Sequence, residues 1–380
     1  MKIALIATEK LPVPAIRGGA IQIYLDSVAS VIAANHDVTV ISITDPSLPD
    51  NQKINGVTYV RFTEDQYIQS IVQHMKTHQY DIVHLCNRPN WILSLVQVAP
   101  QTKFVLSVHN EMFAPEKISD AEGKKCIEAV SKIVTVSNYI GETITSRFPS
   151  AKSKTKTVYS GVDLNQYQPA WTEEGKILRT EARKELKLEN KKIILFVGRL
   201  SKVKGPHILL QALPKIAEKE PNAMLVVVGS KWFGDNEVNN YVKHLYTLGA
   251  MYKDHVTFIK FVRPHDIPAL YAMSDLLVCS SQWQEPLARV HYEAMAAGLP
   301  VLTSNRGGNP EVITEGENGS IIYDFDNPDA YVNPIVSLLK SESKRAKMGK
   351  NGRKIVETQF SWEHVAVNLL KVYEEARSNS

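Results

Sequence analysis

The chain has 380 residues, of which 44% are apolar and 22% charged, with a net charge of +4. That length is generous for one hydrophobic core and comfortable for two domains, in an ordinary globular composition. Nucleic-acid binding finds no support, because zinc-finger spacing and a basic stripe interleaved with aromatics are both lacking. Cys86, Cys126 and Cys279 are odd in number and widely spaced. Without metal-ligand spacing they read as buried thiols of a reducing compartment.

The opening "MKIALIATEKLPVP" holds an apolar run that stops at Thr8 and Glu9, too brief for a signal-peptide core and suited to a first buried strand. Later apolar runs such as "AMLVVVG" (223–229) are strand-length and far short of a bilayer span, so the expectation is a cytoplasmic protein without a transmembrane segment. After "KIALIAT" (2–8) comes "AIQIYLDSVASVIAAN", apolar at helical spacing, and then "DVTVISIT", "DIVHLCN", "KFVLSVHN" and "KIVTVSN". Such continuous Val/Ile/Leu runs fit a parallel sheet covered on both faces. Charge and polarity break the rhythm over 164–190, and a second series follows in "KIILFVGRL", "AMLVVVGS", "HVTFIKF", "LLVCSS" and "PVLTSN".

The reading is an α/β chain of two doubly wound, Rossmann-like domains. The first spans 1–165, a linker 166–190 and the second 191–358. A closing amphipathic helix over 359–380 is expected to cross back to the first domain. Ligands of open parallel sheets sit beyond the carboxyl ends of the strands, so the cleft between two such domains is the expected site.

Polar residues gather at those ends. Gly18 and Gly19 precede the first helix, where backbone N–H groups and a helix N-terminus favour an anion, although a plain tight turn explains the pair equally well. Arg199 and Lys204 share the loop after "KIILFV", where they form a cationic clamp for phosphate unless the loop is merely a solvated basic one. Arg147, Lys152, Lys154 and Lys156 make a basic stretch that reads as a solvated face or a guide for an anionic acceptor.

The segment "SSQWQEPLARVHYEAMAAGLP" (280–300) carries Glu285 and Glu293. Pro286 suits a first helical turn and Glu285 its cap. Eight helical positions then separate the two acids by about 12 Å. That span is too wide for two carboxylates acting across one bond and suits two acceptors on one extended ligand. A nucleoside-diphosphate sugar has that form.

"EPLARVHYEAMAAGLPV", with "GRLSKVKG", "SVHN", "VYSGVD" and "NRGGNPEVI", resembles the retaining GT-B glycosyltransferases of family 4, and the likeness runs from "RGGA" to the final "FSW" helix. It extends to spore-coat-associated members of endospore-forming bacteria. The resemblance implies a nucleotide-sugar donor (UDP, GDP or ADP) held by the second domain. It also implies no metal or other cofactor, and an unidentified glycan, lipid or protein acceptor on the first domain, with spore-coat proteins as partners. It assigns Glu285 to donor-sugar hydroxyls, Glu293 to the nucleotide ribose, and Arg199 with Lys204 to the leaving diphosphate. The amides of Ala288, Arg289 and Val290 would add oxyanion support, with Gly18 and Gly19 facing the same diphosphate. His109 matches the family's active-site histidine, although a lone strand-end histidine is more often structural.

Glu111 is the only nearby carboxylate for a double displacement and is poorly placed. Retention would then proceed by attack on the face from which diphosphate departs. Candidate acceptor loops are 86–91, with Arg88 and Trp91, and 109–117. Asp324 and Asp326 form a D-x-D pattern outside any nucleotide-binding context, which reads as a surface loop. Leu287 and Ala288 replace a common Phe-Gly, Ser160 a common asparagine and Lys260 a common glycine. These departures leave room for a coat or envelope protein on a glycosyltransferase scaffold. A sugar-nucleotide epimerase of the same architecture fits the paired glutamates less well.

Overall fold

The computed structural model describes residues 1–229, 238–260, 262, 263 and 265–378. Ser230 and Phe261, which end two of the expected strands, lie outside the described residues. Two compact units emerge: Met1–Gly161 with the chain from Trp362 onward, and Val162–Ser361.

The first unit is built on β1 (Lys2–Ile6), β2 (Asp37–Ile43), β3 (Asn51–Ile54), β4 (Val57–Phe62), β5 (Ile82–Cys86), β6 (Lys103–Val108), β7 (Lys132–Thr135) and β8 (Thr155–Thr157). Their order is β3-β4-β2-β1-β5-β6-β7-β8. Every ladder is parallel except β3 with β4. The central strands are buried along their length apart from the opening lysines Lys2 and Lys103, as their apolar runs require. Helix Ala20–Ile32 packs one face with Tyr24, Leu25 and Val28, against Val365, Leu369 and Tyr373 of the closing helix Trp362–Ser378. The apolar spacing of that helix directs it to this core, so it belongs to the first unit.

The hairpin β3–β4 is absent from the sequence reading. Its turn is Asn55–Gly56, both at positive φ, and this Asn-Gly pair was the available signal. The exposed, polar "NQKI" of β3 has no apolar run to mark it, and such a strand blunts a sheet edge.

The second unit carries β9 (Lys192–Val197), β10 (Ala223–Val228), β11 (Val256–Ile259), β12 (Leu276–Cys279), β13 (Val301–Ser304) and β14 (Gly319–Ile322), ordered β11-β10-β9-β12-β13-β14 and all parallel. The stretch 166–190, read as a linker, folds into this unit. Helix Glu173–Glu185 starts at Thr172, whose hydroxyl accepts from Gly175 N at 3.0 Å. Arg179 and Arg183, one turn apart, grip the two oxygens of buried Asp275 at 2.7 and 2.9 Å. Asp275 also accepts from Ile193 N at 2.7 Å, tying the helix to the first strand of the sheet. The charge that made this segment look like a linker is what docks it.

Strand order reverses beside β1 in the first sheet and beside β9 in the second, which directs attention to the loops after β1 and β5 and after β9 and β12. Among the described residues no helix is long and apolar enough to cross a membrane.

Candidate functional site

In the second unit, the chain leaving β9 passes Gly198 and Arg199, turns through Lys202–Lys204 and enters helix Pro206–Lys219 at Gly205, φ 73°. A Cβ on Gly205 would lie 2.0 Å from the Ser280 carbonyl oxygen, so only glycine admits the loop that follows β12. The Ser280 hydroxyl donates to the Gly205 carbonyl at 3.0 Å, and Gln282 N donates to the Val203 carbonyl at 2.8 Å. These bonds strap the loop carrying Arg199 and Lys204 to the loop carrying Glu285.

Glu285 is 5% exposed. Its Oε2 accepts from Lys204 Nζ at 2.6 Å, Trp283 Nε1 at 2.8 Å and the Ser281 hydroxyl at 2.9 Å. Burial pushes the Glu285 carboxyl up, but the Lys204 ammonium and these hydrogen bonds outweigh it and hold the group below its usual value. The acid is therefore ionised at neutral pH. All three donors converge on one oxygen, and none is spent on Oε1.

Sequence reasoning gave Lys204 and Glu285 separate ligand partners; the structure pairs them with each other. It also corrects the helix start. The helix is Val290–Ala296, with Arg289 at its cap, and Glu285 and Pro286 lie in the preceding loop. Two anchors keep that loop extended: the Glu285 side-chain network, and its carbonyl, which accepts from Gly308 N at 2.8 Å. The rise computed for eight helical positions therefore does not apply. Gly307, φ 56°, lies so close that a Cβ there would meet the Glu285 carbonyl oxygen at 2.0 Å.

The Ala288 amide, expected to face an oxyanion, donates instead to Asn309 Oδ1 at 3.0 Å. Buried His291 fixes the same turn: its Nδ1 meets the Ala288 carbonyl at 2.8 Å and its Nε2 the Thr303 hydroxyl at 2.8 Å. A carbonyl only accepts, so Nδ1 carries the proton and the ring is neutral; burial holds its pKa down to about 4. Val290 opens the helix. Glu293, one turn in, accepts from the Tyr271 hydroxyl at 2.7 Å and stands 3.6 Å from Arg289 Nε.

The first unit has its own polar strand-end loops. Gly18 and Gly19 both take positive φ, 78° and 97°. The Gly18 amide, expected to face a ligand, is bonded to the Ala15 carbonyl at 2.9 Å. At φ 97° Gly19 holds, at the entry to helix Ala20–Ile32, a backbone conformation that other residues rarely adopt, so the turn itself calls for glycine there. His109 follows β6, its backbone N–H bonded to Asn87 Oδ1 at 2.7 Å and its Nε2 2.8 Å from the Ser107 hydroxyl. Tyr24 packs edge-on at 5.0 Å, and burial lowers the imidazole pKa to about 4. Glu111 accepts from the Tyr139 hydroxyl. Arg88 grips both oxygens of Glu9 at 2.6 and 2.7 Å and stands 5.6 Å above the Trp91 ring.

The basic stretch is largely consumed internally. Lys154 caps the carbonyls of Ile127, Glu128 and Val130, Lys156 lies 3.6 Å from Glu375, and Arg147 pairs with Asp120. Asp324 accepts from the Asn327 side chain in an exposed turn. Among the described residues no cluster of three histidine, cysteine or acidic groups could hold a metal.

Sequence reasoning missed Ser281, Trp283, Tyr271 and Asn309, the partners that orient the two acids and the intervening turn. Ser281 and Trp283 stood inside the quoted segment, beside the acid they serve. Asn309 stood inside the quoted "NRGGNPEVI", whereas Tyr271 carries no local signal.

Two families match the chain: Glycosyltransferase Family 4 over residues 18–166 and Glycosyl transferases group 1 over residues 179–355. Spore coat protein SA of Bacillus subtilis (strain 168) is 66% identical over 99% of this chain and 100% of its own length. Putative glycosyltransferase YtcC of the same organism is 46% identical over 98% of this chain and 92% of its own. Among solved structures, Anabaena HepE in complex with UDP superposes with a TM-score of 0.80 at 23% identity, covering 98% of this chain and 100% of that one.

Proposed function

The chain belongs to the glycosyltransferases, combining the Glycosyltransferase Family 4 and group 1 domains on a GT-B fold, and on that premise we propose that it moves a hexosyl group from a nucleoside-diphosphate sugar to an acceptor, retaining the anomeric configuration without a metal. The observation that carries this reading is the joined pair of loops at the switch point of the second sheet, where ionised Glu285 meets Lys204 on the loop that also carries Arg199.

The chemistry follows from charge. Departure of a nucleoside diphosphate places negative charge on a phosphate oxygen, and fixed cations stabilise that charge most in the transition state. Arg199 and Lys204 are the groups for this role. Glu285, anchored through Oε2, can accept a sugar hydroxyl on Oε1 while remaining ionised. Glu293, set on a helix and oriented by Tyr271, is the acceptor for the ribose diol. Glu111 is engaged by Tyr139, which disfavours it as a nucleophile, so the acceptor attacks the face the diphosphate leaves. The departing phosphate oxygen then takes the acceptor proton. His109, held neutral, serves as a hydrogen-bonding group rather than a cation. HepE has been solved with UDP-glucose, which makes UDP-glucose the first donor to try.

Thermal-shift measurements with UDP, GDP and ADP, followed by assay of sugar release from the matching donors, test the reading. Stabilisation by one nucleotide and turnover of its sugar are expected; stabilisation by none would overturn it. That second outcome would favour a structural role in the spore coat on a glycosyltransferase scaffold. The name of the 66%-identical relative and the engaged Ala288 amide motivate this alternative.

A further inference from the structure

Arg306 lies in the loop after β13, immediately before Gly307, whose backbone touches that of Glu285. Its guanidinium stands 4.3 Å from the centroid of the Phe325 ring. The Phe325 carbonyl accepts from Gln282 Nε2 at 3.0 Å, and Gln282 is bonded through its own amide to Val203, the neighbour of Lys204. Arg306, Lys204 and Glu285 are thus carried by one knot of loops at the carboxyl ends of β9, β12 and β13.

Arg306 Nε is buried and has no hydrogen-bond partner among the described residues. Asp324 and Asp326 flank Phe325 in sequence, yet no ion pair joins either to Arg306 among the described residues. A guanidinium with a buried N–H left unmade is costly, whereas a guanidinium fixed on an aromatic face has little freedom left to lose on binding. Arginine is also the side chain best matched to two oxygens of one anion. Such a group, on the loop whose backbone packs against that of Glu285, an acid already neutralised by Lys204, lacks an oxyanion.

We propose that Arg306 is an additional oxyanion-binding residue of this site, receiving either a phosphate oxygen of the donor's diphosphate or a carboxylate carried by the transferred sugar. The inference rests on the nucleotide-sugar reading and adds a specificity-determining residue to it. The two sources are one chemistry, and they separate by ligand.

Calorimetric titration of the full chain and its Arg306→Gln variant with UDP, GDP, ADP and UMP, and with UDP-glucose and UDP-glucuronate, distinguishes them. If the diphosphate is the partner, Arg306→Gln loses about tenfold or more in affinity for the matching nucleoside diphosphate and little for UMP, the scale of a charge-assisted hydrogen bond. If a sugar carboxylate is the partner, the nucleoside diphosphates bind the variant as they bind wild type, and only UDP-glucuronate weakens. Phe325→Leu, which removes the ring beneath the guanidinium, shifts the same ligand in the same direction by less. Wild-type affinity of Arg306→Gln for every ligand, with Lys204→Ala impaired, would overturn the role of Arg306 while leaving the site. Failure of the wild-type chain to bind any of the six would overturn the site itself, and this role with it.

Discussion

The polar loops above the two sheets differ in how their charges are matched. In the first unit, Arg88 is spent on Glu9, Glu111 receives Tyr139, and His109 is buried neutral against Ser107 and Asn87. In the second, Lys204 is spent on Glu285, but Arg306, on the loop after β13, has a buried N–H with no partner among the described residues. The first surface is balanced, which on the proposed function would suit a neutral, hydroxyl-bearing acceptor. On the proposed function, the second, where Arg199, Lys204 and Arg306 sit on neighbouring loops with buried Glu285, would take a diphosphate attached to a sugar. The two sheets share a doubly wound, mostly parallel plan, and the difference lies in loops, where function is expected to diverge from fold.

The sharpest way to break this contrast is Lys204→Ala. Removing the ammonium leaves a buried carboxylate without its cation, at a cost of about 3–5 kcal/mol, and removes a cation from the proposed diphosphate site. Nucleoside-diphosphate affinity should fall together with the urea midpoint. The pH dependence distinguishes the causes. In wild type the Glu285 pKa is lowered, so its stabilisation is present above its unfolded value and is lost as pH falls through the folded one. Without Lys204, burial dominates and the sign reverses, because the buried carboxyl then prefers its proton. The stability gap between variant and wild type should therefore narrow from pH 7 toward pH 4.5. A constant gap would show that Glu285 does not depend on Lys204 for its charge.

Gly307→Ala tests the same site without altering a charge. The new methyl would meet the Glu285 carbonyl oxygen, and φ of 56° is already unfavourable for alanine. A loss of about 1–3 kcal/mol is expected, read as a lower midpoint, with turnover falling further than nucleotide affinity. A variant as stable as wild type would mean the 305–309 loop does not hold Glu285.

The split between the two acids predicts a smaller, more specific effect. Glu293→Ala should weaken nucleoside diphosphate by about tenfold, whereas Glu285→Gln should spare it and weaken the sugar donor. Matched titrations with UDP and UDP-glucose check this, and identical effects would end the division of roles.

How much of this was legible in the sequence follows from the range of each interaction. Central strands such as β1, β5, β9 and β12 are buried on both faces, and burial leaves a local apolar run that can be read directly. Arg199, Lys204, Glu285 and Glu293 could be singled out as candidates because charged residues close together in sequence are also a local signal. The Glu285 helix cap was misread because Pro286 satisfies a helix start and an extended loop equally. Only the contact with Gly307 and Gly308, more than twenty residues on, decides between them. The linker was misread for the same reason, since Asp275 lies some ninety residues from the arginines it binds. Arg306 was quoted within a family motif, and its importance is visible only when the lack of a partner can be seen.

The smallest effect tests the quieter side of the comparison. In the first unit, buried His84 contacts the Tyr373 hydroxyl of the closing helix through Nδ1 at 2.6 Å, while its Nε2 has no partner. Burial lowers its pKa to about 3. Its ring lies 6.3 Å from Tyr24, the residue packed edge-on against His109. Tyr373→Phe keeps the packing of the helix and deletes one hydrogen bond, so a loss of about 1 kcal/mol is expected from thermal or urea unfolding. If the closing helix serves only to complete the first core, turnover and the His109 environment will be unchanged in that variant. A shifted His109 imidazole resonance by NMR, with an altered kcat and an unaltered KM, would instead make Tyr373 a positioning residue acting through His84 and Tyr24. The first unit's balanced surface would then depend on a helix that the chain adds only after completing the second unit.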